Sequence, residues 1–258
     1  MSPDNQIRLS YREYGEGDPL FILHGLFGSG DNWAGIARSL SDTFRVILPD
    51  LRNHGSSPHS PVFDYPAIIA DVIGLMEELG IDSAPFIGHS MGGKAVMLLA
   101  LEHPDIVEKA VIVDIAPVTY AHSQMAIIDM LLSLDLENVI SRGDADSVLE
   151  PGIPSIRLRS FLLKNLKRLK DGTFTWKINL HAIKDRYHKL VSWPDTDLFV
   201  EKPMLFLKGS FSEYLLPDMK GPIEHHFPNA SFIEIPDSGH WLHAEQPDLF
   251  LEAIKNFL

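Results

Sequence analysis

The 258-residue sequence contains no cysteine, and this absence removes several kinds of chemistry at once. Disulfide bonds, thiolate metal sites and a cysteine nucleophile are all excluded. The sequence also lacks a run of the roughly 18 apolar residues that a membrane-spanning helix needs, and it does not open on a basic region followed by an apolar stretch. We therefore expect a cytoplasmic protein with no membrane partner.

Positive charge is scarce in most of the chain and concentrated in one part of it. The 22 Lys and Arg residues are outnumbered by 35 Asp and Glu residues, which gives a net charge of −13. This balance disfavours nucleic-acid binding, which depends on neutralising phosphates. Ten basic residues and only two aspartates lie between Arg157 and Lys189, a local charge of +8. That stretch is either a solvated helix face or a site for an anionic ligand.

Strand and helix patterns alternate along much of the chain. Continuous apolar runs lie at 19–23, 84–87, 110–113 and 203–207, and the first of them is typical of a strand buried on both faces of a parallel sheet. Further strand patterns lie at 44–48, which includes Arg45, and at 230–235, the last in the chain. Helical patterns lie between the earlier runs. The alternation predicts an α/β fold with a mostly parallel central sheet and helices on both faces.

The alternation stops between residues 119 and 194. Helical patterns at 125–134 and 156–169 are separated there by a charged stretch, 142–150, that we expect to be a loop. We predict that residues 119–194 form an inserted helical cap on a core domain built from residues 1–118 and 195–258.

A candidate nucleophile lies in the run Gly88-His89-Ser90-Met91-Gly92. An apolar strand pattern precedes this run and a helical pattern follows it, so Ser90 occupies a sharp strand-to-helix turn of the G-x-S-x-G kind. The two glycines lack the Cβ atoms that would obstruct so tight a turn. A serine hydroxyl is a poor nucleophile by itself, so the interpretation requires a base, an acid and oxyanion donors from elsewhere.

The candidate base is His240, which follows the final strand pattern. Its place after the serine matches the chain order of a hydrolase triad. His243 is the local competitor, and a His240–His243 metal pair is the alternative, although no thiol or H-E-x-x-H run accompanies it.

Two carboxylates compete for the role of the acid that orients His240. Asp114 ends the strand after the Ser90 helix, between apolar neighbours that make an unpaired carboxylate costly. Glu213 lies in the loop after the 203–207 strand, where no aspartate is present. We favour Asp114, with Glu213 or a water molecule as alternatives.

The oxyanion donors should be backbone N–H groups. Met91 follows the nucleophile at a helix N-terminus, which favours an anion. The second donor should come from the first strand-to-helix loop, where we choose Leu26, with Phe27 as second choice.

Five segments together resemble the α/β-hydrolase superfamily, and within it the YbfF family of bacterial esterases. They are His24–Ser29, Asp50–Gly55, Gly88–Lys94, Asp114–Pro117 and Gly239–Trp241. The resemblance implies that Asp114 is the acid and that the substrates are short acyl esters, with fatty acyl-CoA thioesters as proposed ligands. Acyl transfer through a serine needs no metal or organic cofactor, so we expect none.

The predicted function is therefore hydrolysis of short- to medium-chain acyl esters by Ser90, His240 and Asp114 through an acyl-enzyme. Phe27, Met125 and Leu131 are candidates for the acyl pocket, although such residues are more often plain core. The alternatives are an acyl-CoA thioesterase that binds phosphates through Arg157 and Arg159, a carbon-carbon bond hydrolase or perhydrolase, and a ligand receptor without turnover. The sequence does not determine the oligomeric state.

Overall fold

The computed structural model describes residues 6–121 and 124–258, so residues 1–5 of the predicted core domain and residues 122–123 of the predicted cap lie outside the described ranges. The strands within these ranges are β1 (Tyr11–Tyr14), β2 (Asp18–Leu23), β3 (Phe44–Pro49), β4 (Ala84–His89), β5 (Val107–Val113), β6 (Leu166–Arg168), β7 (Phe174–Trp176), β8 (Met204–Gly209) and β9 (Ala230–Ile235).

Seven of these strands form one sheet in the order β1-β3-β2-β4-β5-β8-β9, while β6 and β7 form a separate antiparallel hairpin. In the sheet, β1 pairs antiparallel with β3, and the other neighbours pair in parallel. The carboxyl ends of the parallel strands therefore meet at one edge, where the loops after β2, β4, β5, β8 and β9 lie close together.

Helices cover both faces of the sheet, as the continuous apolar runs predicted. The helices within the described ranges are α1 (Ala34–Leu40), α2 (Tyr65–Leu79), α3 (Met91–Glu102), α4 (Met125–Leu132), α5 (Arg142–Leu149), α6 (Ile156–Leu162), α7 (Leu180–Val191), α8 (Lys220–His226), α9 (Leu242–Glu245) and α10 (Pro247–Lys255), of which α4 to α7 lie between β5 and β8. Phe21 and Leu23 of β2 face the core shared with α2 and α3, whereas Leu20 and Ile22 face the core shared with α1 and α10. The predicted α/β fold with its mostly parallel sheet is confirmed.

The segment between β5 and β8 differs from the sequence-based prediction in two places. The stretch 142–150 is a helix and not a loop, because Ser141 caps α5 by accepting a hydrogen bond from the N–H of Asp144 at 3.1 Å, and the helix buries Ala145 and Leu149. Charged residues at its exposed positions concealed that apolar face.

The prediction of a helix over 156–169 is also wrong, because α6 ends at Leu162. Asn165 turns inward there and donates from Nδ2 to the carbonyls of Phe27, at 2.8 Å, and Leu162, at 3.2 Å. The chain then forms the β6–β7 hairpin, whose turn includes Gly172 at φ 93°, a left-handed conformation that suits glycine.

The helix α7 had no sequence-based prediction, although its buried residues Leu180, Ile183, Tyr187 and Leu190 recur at helical spacing. In the described part of the chain, no helix combines the length and the apolar character needed to cross a membrane.

Candidate active site

Ser90 lies in the turn between β4 and α3 with φ 52° and ψ −116°, a conformation that is strained for any residue but glycine. Its N–H donates to the carbonyl of Val113 at 3.1 Å, which anchors the turn to the end of β5. A Cβ atom at Gly92 would lie 2.3 Å from the carbonyl oxygen of Leu23, and one at Gly88 would lie 2.6 Å from the Gly92 carbonyl oxygen. Both glycines are therefore required by close backbone contact.

Asp114 directly follows β5 and is completely buried, with φ 55°. Its carboxylate accepts three hydrogen bonds: from the N–H of Gly209 at 3.2 Å, from the Ser212 hydroxyl, and from Nδ1 of His240 at 2.7 Å. These donors compensate for the loss of water around a buried charge. Glu213, the competing candidate, is exposed, and His240 is hydrogen-bonded to Asp114.

His240 is held from several sides. Its ring stacks on Tyr214, with centroids 3.9 Å apart, and its backbone carbonyl lies 2.8 Å from Nε2 of His89. Glu245 accepts a hydrogen bond from the preceding N–H of Gly239. Because Asp114 occupies Nδ1, that nitrogen carries the proton and Nε2 is left as the basic atom.

The imidazoles around His240 are uncharged at neutral pH. Burial, followed by the proximity of His240, lowers the pKa of His243 to about 3 and lowers the pKa of His89 well below its ordinary value. His243 stacks flat on Trp33, with centroids 4.0 Å apart. The described residues contain no group of three or more His, Asp or Glu side chains placed to hold a metal ion.

The loop after β2 presents backbone N–H groups beside Ser90. Phe27 adopts φ 61°, and its N–H donates to Nε2 of His54 at 3.3 Å. The N–H of Leu26 has no hydrogen-bond acceptor in the described part of the chain, and the N–H of Met91 is at the first position of α3, where no carbonyl of the helix can accept it. Within the described ranges, the N–H groups of Leu26 and Met91 are therefore both without an intramolecular acceptor.

His24 explains how this loop is fixed. Its Nε2 accepts the N–H of Leu51 at 2.9 Å, so Nδ1 carries the proton and donates to the carbonyl of Gly25 at 2.8 Å. Burial lowers the pKa of His24 to about 4, which keeps this bridging ring neutral. The loops after β2 and β3 are thereby held together.

Two cavities meet at Ser90. One, named here the tyrosine cavity, lies on the side of Tyr65, and the other, the histidine cavity, lies on the side of His240. They share Leu26, Ser90, Gln124 and Tyr214. The tyrosine cavity is further lined by Tyr65, Met91, Lys94, Ile115, Tyr120, Tyr187, Leu190 and Val191, and the histidine cavity by Phe27, His89, Ile127, Leu158, Phe161, His240 and Trp241.

Ser90 and His240 thus line the same cavity, but no hydrogen bond joins their side chains within the described residues. Catalytic hydrogen bonds are often long in a ligand-free site and shorten in the substrate complex, so the shared cavity is the relevant relationship.

The five residues predicted to contact substrate lie in different surroundings in the structure. Phe27, predicted for the acyl pocket, lines the histidine cavity. Leu131 does not line either cavity, because it is fully buried in the core, and Met125 packs against that core. Arg157 makes an ion pair with Glu245 at 3.0 Å.

The prediction for Arg159 is wrong. Its side chain is buried, and its guanidinium donates to both oxygens of Asp146, at 2.7 and 3.1 Å, and to the carbonyl of Ile153. The donors that a phosphate would need are occupied within the segment itself.

Sequence reasoning missed the polar side chains of the tyrosine cavity. Lys94, Tyr120 and Gln124 all line it. Only Lys94 carried a usable signal, since a lysine one helical turn after the nucleophile is unusual on a helix buried along its whole length.

Comparisons with known proteins identify the family to which the chain belongs. The family profile described as alpha/beta hydrolase fold matches residues 18–247. The sn-1-specific diacylglycerol lipase ABHD11 of Danio rerio is 39% identical, over 100% of this chain and 84% of its own length. Esterase YbfF of Escherichia coli K12 is 37% identical, over 93% of this chain and 92% of its own.

A solved structure described as a marine microorganism esterase is 41% identical and superposes with a TM-score of 0.95, covering 98% of this chain and 100% of that one. The predicted resemblance is confirmed, and the chain belongs to the α/β-hydrolase family.

Proposed function

We propose that the protein is a serine esterase that hydrolyses short- to medium-chain acyl esters through an acyl-enzyme on Ser90. That the chain is a carboxylic ester hydrolase is shown by its esterase and lipase relatives. The finer proposal rests chiefly on the 2.7 Å contact between His240 and buried Asp114, in a cavity that also contains a serine in a strained turn.

Each triad member has one task in the proposed mechanism. Nε2 of His240 removes the hydroxyl proton as Ser90 Oγ attacks the ester carbonyl, and then returns that proton to the departing alcohol. Asp114 holds the required tautomer and stabilises the imidazolium that forms. A water molecule, deprotonated by His240 in the same way, then cleaves the acyl-enzyme and frees Ser90.

Leu26 and Met91 supply the proposed oxyanion hole. Neither N–H group has an acceptor among the residues that the structure describes, and Met91 adds the positive end of the α3 dipole. Phe27, the second choice from the sequence, is disfavoured because its N–H already donates to His54.

The two cavities suggest how an ester is oriented. The alcohol must leave next to His240, so it belongs in the histidine cavity, and the acyl group then extends past Met91 into the tyrosine cavity. Walls that include the bulky side chains of Tyr65 and Tyr187 favour an acyl chain of short to medium length.

Residues 119–194 act in this proposal as a cap on the core domain of residues 1–118 and 195–258. Leu158 and Phe161 of this segment line the histidine cavity, and Tyr187 and Val191 line the tyrosine cavity. Substrate size would therefore be decided where the cap meets Ser90.

The test is steady-state hydrolysis of p-nitrophenyl esters from acetate to palmitate, alongside a 1,2-diacylglycerol and the matching acyl-CoA thioesters. We expect kcat/KM to peak at short or medium chains and to fall by a factor of at least about 10³ in Ser90→Ala. Ser39→Ala, at an exposed position in α1, is the matched control. Equal turnover by wild type and Ser90→Ala on every substrate would contradict the proposal.

A further inference from the structure

Lys94 is a buried cation that the proposed mechanism does not use. It lies one turn after Ser90 in α3, where its N–H donates to the Ser90 carbonyl at 3.0 Å, and its side chain is almost wholly buried. Lysine is rarely buried without a charged partner, so its presence here requires an explanation.

The ammonium group binds the two ends of the cap. Nζ donates to the carbonyl of Val118 at 2.8 Å, just before the cap begins, and to the carbonyls of Val191, at 2.8 Å, and Ser192, at 3.0 Å, just before it ends. The two connections also bind each other, since the N–H of Tyr120 donates to the Val191 carbonyl at 3.0 Å. One side chain on the nucleophile helix therefore contacts both points where the cap joins the core.

The charge on Lys94 matters for these contacts. An ammonium group has three N–H donors, and all three are used here, whereas a neutral amine has only two. Deprotonation must therefore release one of the three carbonyls. Burial lowers the pKa of Lys94 to about 7, so this loss falls near neutral pH.

The titratable groups that face Lys94 are tyrosines. The Tyr120 ring centroid lies 4.9 Å from Nζ, and the same cavity is lined by Tyr65 from α2, Tyr187 from α7 and Tyr214 from the loop after β8. Burial raises the pKa of Tyr65, Tyr120 and Tyr214. None of the hydrogen-bond partners of Lys94 in the described ranges is a carboxylate.

We propose that Lys94 is a positioning residue that fastens both ends of the cap to the nucleophile helix and thereby sets the width of the tyrosine cavity at Ser90. This inference rests on the proposed function, because cavity width matters only if an acyl group occupies it. Lys94 acts through the cap connections and does not touch the reacting atoms.

The experiment measures amide hydrogen exchange at the cap connections, residues 118–121 and 190–193, which requires no activity. In Lys94→Met we expect exchange there to be at least about tenfold faster, since a single hydrogen bond from a charged donor is worth about that factor. The matched control is Lys109→Met, because Lys109 also donates to backbone carbonyls, those of Phe257 and Leu258, but on a strand away from the cap.

A pH series tests whether Lys94 acts through its hydrogen bonds to the cap connections or only by filling space. After correction for intrinsic exchange, wild-type exchange at the connections should accelerate between pH 6 and pH 8.5, whereas Lys94→Arg, whose side chain does not titrate, should show no such acceleration. The wild-type and Arg arms remain informative if Lys94→Met does not fold. Exchange that is unaffected by pH in wild type, or equally affected in Lys94→Arg, would overturn the inference.

The kinetic arm compares p-nitrophenyl acetate with p-nitrophenyl decanoate. Loosening the connections should change the decanoate-to-acetate ratio of kcat/KM by about tenfold or more in Lys94→Met, mainly through KM. An unchanged ratio in a folded variant would contradict the role in cavity width. Failure of the proposed function is distinguishable, because wild type would then hydrolyse neither ester while the exchange arms would still give their result.

Discussion

The carboxylate that contacts His240 is provided by Asp114, at the end of β5, with Oδ2 2.7 Å from the imidazole Nδ1. Gly209, the last residue of β8, and Ser212, in the loop that follows, donate to that carboxylate, whereas Glu213 of the same loop is exposed. The acid and its supporting donors therefore come from neighbouring strands.

Asp114→Asn should lower kcat by about 10³- to 10⁴-fold, because an amide cannot stabilise the imidazolium and favours the wrong tautomer. Steady-state kinetics on p-nitrophenyl acetate would measure this loss. Glu213→Gln, in the competing and exposed position, is the control and should be close to wild type. A large loss in Glu213→Gln with little change in Asp114→Asn would move the role to Glu213.

Ser212→Ala removes one of the three donors to the Asp114 carboxylate. We expect kcat to fall by about tenfold, since hydrogen bonds to charged groups carry more free energy than neutral ones. Ser210→Ala is a matched control in the same loop, because the buried Ser210 hydroxyl has no hydrogen-bond partner within residues 6–121 and 124–258. Similar kcat values for the two variants would mean that Ser212 does not support the acid.

The loop after β3 depends on a buried ion pair. Arg52 and Asp71 have side chains only 0% and 1% exposed, with Nε 2.6 Å from Oδ2. Arg52→Met leaves the Asp71 carboxylate without its cation and should lower the free energy of unfolding by about 3–5 kcal/mol. Urea denaturation would measure this, and Arg8→Met, which breaks an exposed pair with Glu78, should leave the midpoint unchanged. Equal midpoints for both variants would contradict the account.

Acid should destabilise the fold through its buried histidines. Burial lowers the pKa of His54 and His243 to about 3, below the value near 6.5 in the unfolded chain. The unfolded state therefore binds more protons, and between pH 6.5 and pH 3 each of these rings should reduce stability by about 1.4 kcal/mol per pH unit as the pH falls. His243→Phe preserves stacking on Trp33 and should flatten the pH dependence of the urea midpoint, and an unchanged slope would contradict this.

The parts of the fold that the sequence could predict are those fixed by local rules. The run Gly88–Gly92 specifies its own turn through backbone contacts, and the strands β2 to β5 are recognisable because both faces are buried. The position of Asp114 could also be predicted, because a polar residue that directly follows a buried parallel strand lies at the carboxyl edge of the sheet.

Residues 119–194 were harder to predict because their structure depends on contacts distant in sequence. The end of α6 depends on the hydrogen bond from Asn165 to the carbonyl of Phe27. No local sequence pattern predicts this contact. The sequence places Arg159 among ligand-binding candidates because its partner Asp146, thirteen residues earlier, cannot be identified without the structure. Lys94 could not be interpreted without knowing that both cap connections pass over α3.

The central claim, that Ser90 forms an acyl-enzyme, is tested most directly by intact-mass spectrometry of protein quenched during turnover of p-nitrophenyl acetate. The account predicts an adduct of one acetyl group that maps to Ser90, is absent in Ser90→Ala, and decays at the rate of turnover in wild type. An adduct located on another residue, or persisting unchanged in Ser90→Ala, would contradict it.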